Sequence, residues 1–254
     1  QRFLDTITDI STYSIGSLLS GGGSHPSVNE PQAWLDMYNK YQSESLKSRL
    51  QIPLIYGIDA VHGHNNVYGA TIFPQNIGLG ATNNPELVYK ISEATSLEVA
   101  ATGIDWTFSP CLSSPEDYRW GRTYEGFSSD PSLVKILGEA SVNGYQNAKT
   151  NSGKNVVACA KHFIGDGNTE FGTGMNGLVD RGNTVLSVEQ LKENKGKELL
   201  WILEHQTTYT AGIRSKNSEI LDKKIKVIRT NRGGKITLHN PGQKIIYFAL
   251  NLNN

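Results

Sequence analysis

The feature that most constrains this chain is an alternation. Four short apolar runs, Ile15–Ser20, Ile52–Ile58, Ile104–Cys111 and Val156–Ile164, are each suited to a strand. Three segments with helical spacing separate them. Residues 30–50 carry Trp34, Leu35, Tyr38 and Tyr41; Asn84–Thr102 carries Leu87, Val88, Ile91 and Ala94; Asp130–Tyr145 carries Leu133, Val134, Leu137 and Ala140. Each opens with a start signal: Glu30-Pro31, Asn84-Pro85 and Asp130-Pro131. Strands alternating with helices predict a parallel α/β sheet, open or closed into a barrel. Val156–Ile164, apolar and partly β-branched, reads as a strand buried on both faces.

The character of the sequence changes where each run stops. Gly21-Gly22-Gly23 follows the first, and Asp59 with Ala60-Val61-His62-Gly63-His64-Asn65-Asn66 follows the second. Glu116–Glu125, in which charges alternate with aromatics, follows the third. Lys161-His162 and then Gly165-Asp166-Gly167 close the fourth. Parallel α/β folds place their chemistry at the C-terminal ends of strands. Lys161 and His162 therefore read either as a ligand-facing pair or as a Lys turned to solvent beside a His bound to a local backbone group. Aromatic faces with planar Arg donors suit a sugar, but also a base or a loop pinned by ion pairs. His62 and His64 have no third placed ligand, so no metal is expected. The triple glycine reads as a surface loop, since no Gly-Lys-Ser/Thr follows it as a phosphate site requires.

Composition narrows the partners. Of 254 residues, 24 are Lys or Arg and 24 are Asp or Glu, a balance that points to neither nucleic acid nor an acidic membrane surface. No apolar run approaches the ~20 residues of a membrane span. Cys111 and Cys159 are the only cysteines, too few for a disulfide framework or a zinc pattern. The chain starts at Gln1, which reads as a processed or partial chain.

Three motifs then resemble one family. Gly57-Ile58-Asp59-Ala60-Val61-His62-Gly63-His64-Asn65-Asn66, Arg119-Trp120-Gly121-Arg122-Thr123-Tyr124-Glu125 with Asp130-Pro131, and Ala160-Lys161-His162-Phe163-Ile164-Gly165-Asp166-Gly167-Asn168-Thr169 are similar to strand-end signatures of glycoside hydrolase family 3, which includes many β-glucosidases. The resemblance covers roughly residues 1–187. It implies a partial (β/α) barrel of the TIM type with about four βα units, no cofactor, a β-glucoside or oligosaccharide substrate, and a secreted or lysosomal setting. It also implies that Asp59, Arg122, Lys161 and His162 bind the terminal sugar.

The same resemblance implies retaining hydrolysis, which needs two carboxyl groups ~5–5.5 Å apart. The family's nucleophile motif, Ser-Asp-Trp-like, is not found in this sequence. The acid/base of β-glucosidase-type members lies in a second domain, and the Lys-His loop here lacks the His that some relatives use. No catalytic residue is therefore identified; Asp166, Glu170 or a carboxylate of the tail would have to substitute. Non-catalytic sugar binding and a purely structural role are the rival readings. Residues 188–254 form an unassigned tail, truncated, frameshifted or divergent: Val188–His205 reads as a helix, and Lys223–Leu250 as a β-hairpin with an extra strand. The tail is too short for the missing half of a barrel, because a βαβ unit takes ~30 residues or more.

Overall fold

The computed structural model describes residues 4–21, 24–150, 153, 155–162, 165–171, 182–187, 199–204, 207–216, 218, 220, 226–230, 235–239 and 244–249. The chain divides into two compact units, Gln1–Ser187 and Val188–Asn254. Among the described residues, no helix is long and apolar enough to cross a membrane.

The first unit is α/β with a parallel sheet. Strands β1 (Ser17–Ser20), β2 (Ile55–Ile58) and β3 (Trp106–Thr107) lie side by side in chain order. The fourth apolar run continues that order. Val157 bridges Trp106 and Lys161 bridges Cys111, both parallel. The Val157 amide donates to the Asp105 carbonyl at 2.9 Å and the Cys159 amide to that of Ser109 at 2.8 Å. The ladder is broken between these points, so the run is not one continuous strand. The third run is likewise shorter than its apolar character predicts.

Among the described residues, five helices accompany these strands: α1 (Asp9–Thr12), α2 (Pro31–Ser45), α3 (Asn76–Ala81), α4 (Pro85–Ala101) and α5 (Pro131–Asn147). The predicted caps form at two of them. Asn84 accepts from the Leu87 amide at 3.1 Å and Asp130 from that of Ser132 at 2.8 Å. Each satisfies an amide that the first helical turn leaves without a partner. At α2, Pro31 occupies the first turn but Glu30 makes no side-chain cap.

The two faces of the sheet differ. On one, Trp34 of α2 and Val99 of α4 pack with Tyr56, Ile58, Ile104 and Val156 in a continuous buried cluster. On the other, register aligns Leu19, Gly57, Trp106 and Val157 in a row across the sheet. Leu19 and Val157 are about half exposed there. The expectation of a strand buried on both faces is thus corrected: Val156 is buried in the cluster while Val157, its neighbour on the opposite face, is about half exposed. Gly57 matters on the open face: a Cβ there would meet the Phe108 ring at 2.6 Å.

α4 and α5 pack through small residues. The Ser92 and Ser141 hydroxyls lie 2.8 Å apart, and Ser96 donates to the Tyr145 carbonyl at 2.7 Å. The Tyr145 hydroxyl reaches the sheet, donating toward the Ala60 carbonyl and Ser109 Oγ, each at 3.1 Å. This ties α5 to the ends of the second and third strands, one residue from Asp59.

The second unit corrects the predicted tail. Leu199–Glu204, expected to be helical, is strand β4 and pairs antiparallel with β8 (Lys244–Ala249). Among the described residues, the two expected hairpin strands do not pair with each other either. β6 (Val227–Arg229) and β7 (Ile236–His239) are separate neighbours of β5 (Thr208–Ala211), parallel and antiparallel respectively. A run such as Leu199-Leu200-Trp201-Ile202-Leu203 suits a helix or a strand by apolarity alone. A strand's partner is set by tertiary structure rather than by its nearest turn.

Candidate sugar-binding site

Each strand end supplies one part of the site. Asp59 stands at the exit of β2, where Asn66 Nδ2 donates to its carbonyl at 2.8 Å and Asn65 Oδ1 accepts from the Val61 amide at 3.1 Å. These bonds fold the Asn-rich loop back onto the strand end. The Asp59 carboxylate meets Lys161 across the sheet: Nζ donates to Oδ1 at 2.9 Å. The Lys161 side chain is 14% exposed and that of Asp59 46%, so the ammonium is held inside while the carboxylate faces outward. Lys161 and His162 are joined by a cis peptide.

Arg122 and Glu125 share a 3₁₀ turn and form a bidentate pair, with Nε to Oε1 at 2.8 Å and Nη2 to Oε2 at 2.7 Å. Burial opposes the charged form of Glu125, but the Arg122 guanidinium outweighs it and holds the carboxyl below its usual range. Lys161 and His162 act on Glu125 in the same direction, which places it in the field of both.

His162 Nδ1 lies 3.0 Å from Asp166 Oδ2, and Ser113 donates to the other carboxylate oxygen at 2.7 Å. Burial alone would lower the imidazole's pKa. The hydrogen bonds to Asp166 and Cys111 outweigh that and raise it to about 9. Asp166 is held low in turn: burial opposes its charge, and His162 and Ser113 overcome the opposition. Of the two readings of Lys161 and His162, neither bland version describes the structure, since both side chains pair with carboxylates.

The remaining polar candidates have other partners. His62 Nδ1 is 3.0 Å from the Phe73 carbonyl oxygen, and His64 Nε2 is 2.9 Å from Thr102 Oγ1. Burial lowers the His64 pKa to about 4, so it is a neutral core residue. Gly22 and Gly23 lie outside the described residues. Arg119 pairs with Asp117 and lies 3.7 Å over the Phe171 ring. A cavity of about 310 Å³ opens beside the same loop, lined by residues including Ile77, Tyr118, Thr123, Phe127 and Leu133; Asp59, Arg122, Lys161 and His162 do not line it. Sequence reasoning gave no role to Cys111, Ser113 or Glu125. Glu125, three residues after Arg122, was the one that spacing could have revealed.

Polar groups gathered at the C-terminal ends of neighbouring parallel strands are the arrangement of a barrel-type α/β catalytic domain. Residues 4–196 match the model of the Glycosyl hydrolase family 3 N terminal domain, and the chain belongs to that family. It is 40% identical over 166 residues to a lysosomal beta glucosidase of Dictyostelium discoideum, covering 61% of this chain and 20% of that protein. The crystal structure of an exo-1,3/1,4-beta-glucanase from a Pseudoalteromonas species is 43% identical, with a TM-score of 0.65 over 74% of this chain and 24% of that one. The chain thus spans a fifth to a quarter of these relatives.

The tail has a match of its own. Residues 185–254 match the model of the Lipoyl protein ligase A/B catalytic domain. An octanoyltransferase of Wolbachia pipientis wMel is 44% identical over 81 residues, covering 30% of this chain and 40% of that protein. The two family matches overlap in residues 185–196, near the point where the sequence resemblance was expected to stop.

Proposed function

We propose that residues 1–187 form the first four βα units of a TIM-type barrel and hold the terminal sugar of a β-glucoside through Asp59, Arg122, Lys161 and His162. The observation that carries this reading is the contact of Lys161 Nζ with Asp59 Oδ1 at 2.9 Å. It joins two strand ends into one polar surface whose carboxylate faces outward. An ionised Asp accepts hydroxyl hydrogens, while Arg, Lys and imidazolium donate charge-assisted hydrogen bonds. Such an arrangement discriminates hydroxyl positions, which is what recognition of a terminal sugar requires.

In the parent reaction, retaining hydrolysis of a terminal β-linked glucosyl residue, this surface fixes the sugar while two carboxyl groups do the chemistry. Asp59, Glu125 and Asp166 are each paired with a cation or imidazolium, which suits them to orient groups rather than to attack. Sugar binding without turnover by this chain is therefore the reading that its own carboxylates favour. Residues 188–254 are proposed as a separate segment related to the lipoyl ligase fold, supported by the family match over 185–254.

The test pairs calorimetric titration with glucose and nitrophenol release from an aryl β-glucoside, on the 254-residue chain and on Asp59→Ala. Glucose binding that Asp59→Ala abolishes, with no release, is the expected result. Equal glucose affinity in both proteins would overturn the sugar-site assignment. Release that depends on Asp59 would show that another carboxylate serves as nucleophile.

A further inference from the structure

The sulfur of Cys111, a carboxylate oxygen of Glu125 and a ring nitrogen of His162 all lie within 4.8 Å of one another. The three come from separate elements: the end of the third strand, the 3₁₀ turn of the arginine loop and the end of the fourth strand. We propose that they form a binding site for a thiophilic divalent cation, with Zn²⁺ the ion that best fits the donor set.

Three lines of chemistry support it. The first is geometry. Cys111 Sγ and His162 Nδ1 are 3.9 Å apart. Tetrahedral Zn²⁺ with bonds of ~2.3 Å to sulfur and ~2.0–2.1 Å to nitrogen sets those atoms roughly 3.5 Å apart, so a contraction of a few tenths of an ångström brings that pair to metal spacing, with the Glu125 carboxylate, inside the same 4.8 Å, swinging in as the third donor.

The second is donor capacity. A carboxylate has about four lone-pair positions. Arg122 takes one on each oxygen of Glu125, leaving one on each for a metal. Asp166, whose Oδ2 is 3.0 Å from His162 Nδ1, lies next to the three donors, and solvent completes the coordination. Mixed sulfur, nitrogen and oxygen donors suit Zn²⁺ rather than Mg²⁺ or Ca²⁺, which take oxygen.

The third is charge. Asp59, Glu125 and Asp166 face Arg122, Lys161 and the His162 imidazolium around this point, so three carboxylates stand against two fixed cations once His162 coordinates as the neutral ring. Coordination takes Cys111 as thiolate and His162 through a ring lone pair, so the protons they give up pass to solvent. No sequence spacing announces this site, because its ligands are 14 and 37 positions apart in the chain.

His162 also belongs to the proposed sugar subsite. The consequence that bound metal excludes sugar rests on that reading; the metal site itself does not.

The probe is Co²⁺, added to the reduced full-length chain in mildly alkaline buffer. A thiolate-to-cobalt charge-transfer band in the near ultraviolet, displaced by Zn²⁺, is expected. Cys111→Ser should abolish it and His162→Gln should weaken Co²⁺ binding about tenfold or more. Cys159→Ser, which alters the other thiol, should retain it. No band, a band that survives Cys111→Ser, or a band lost in Cys159→Ser would overturn the proposal. X-ray absorption of the unmutated Zn²⁺ complex gives a test that does not depend on any variant folding. One sulfur at ~2.3 Å supports the site, and a shell of oxygen and nitrogen alone refutes it. Glucose that lowers the cobalt band supports exclusion of sugar by metal. A band indifferent to saturating glucose overturns that exclusion, while the variants and the absorption shell still decide the metal site.

Discussion

Lys161 and Asp59 are 102 residues apart in the chain and 2.9 Å apart in the structure. Each sits where its apolar run stops, on strands separated by the third. Their meeting converts two local strand-exit signals into one surface. The ammonium is the more enclosed partner, so the pair is anchored from the Lys161 side and offers the Asp59 carboxylate outward.

Replacing Lys161 with Met tests that direction. A charge-assisted hydrogen bond contributes about 1.5–3 kcal/mol, so glucose affinity should fall by roughly ten- to hundredfold. Stability should change much less, because Asp59 remains solvated. Calorimetric titration and urea unfolding measure the two separately, and an unchanged glucose affinity would remove Lys161 from the site.

His162 should titrate far above an ordinary histidine. Burial lowers its pKa, but the Asp166 and Cys111 hydrogen bonds outweigh this and bring it to about 9. The folded-state value is raised, so the stabilisation is fully present below the unfolded pKa of ~6.5 and is lost as pH rises toward 9. Histidine NMR should show one ring titrating near that value, and Asp166→Asn should lower it. A ring at 162 that titrates like a free imidazole would contradict the pairing.

Gly144→Ala should destabilise the first unit, although Ala is the better helix former by about 1 kcal/mol. The added Cβ would sit 2.4 Å from the Tyr89 carbonyl oxygen, a backbone atom of α4 that cannot swing aside. Overpacking of this kind costs about 1–3 kcal/mol, enough to match or exceed the gain in propensity. Urea unfolding followed by tryptophan fluorescence should show a lower midpoint.

Tyr145→Phe removes the hydroxyl that joins α5 to the Ala60 carbonyl and Ser109 Oγ. The expected loss is about 1 kcal/mol, because the Ala60 carbonyl keeps a second donor in Thr107 Oγ1 at 3.2 Å. The same unfolding measurement checks it, and a neutral effect would show that the hydroxyl is dispensable.

The sequence by itself determined the order of apolar runs and helices in the first unit, the caps at Asn84 and Asp130, and the strand exits where polar residues gather. Those properties depend on neighbours within a few positions: a capping oxygen reaches an amide two or three residues on, and an apolar stripe repeats each turn. The tertiary structure alone decided which charges meet. Asp59 takes Lys161, Arg122 takes Glu125 and His162 takes Asp166, while His62 and His64 turn to Phe73 and Thr102. It also made Leu199–Glu204 a strand and gave β6 and β7 a shared neighbour in place of each other. Pairing across a fold is set by where the whole backbone carries each side chain, and no short window of residues contains that distance.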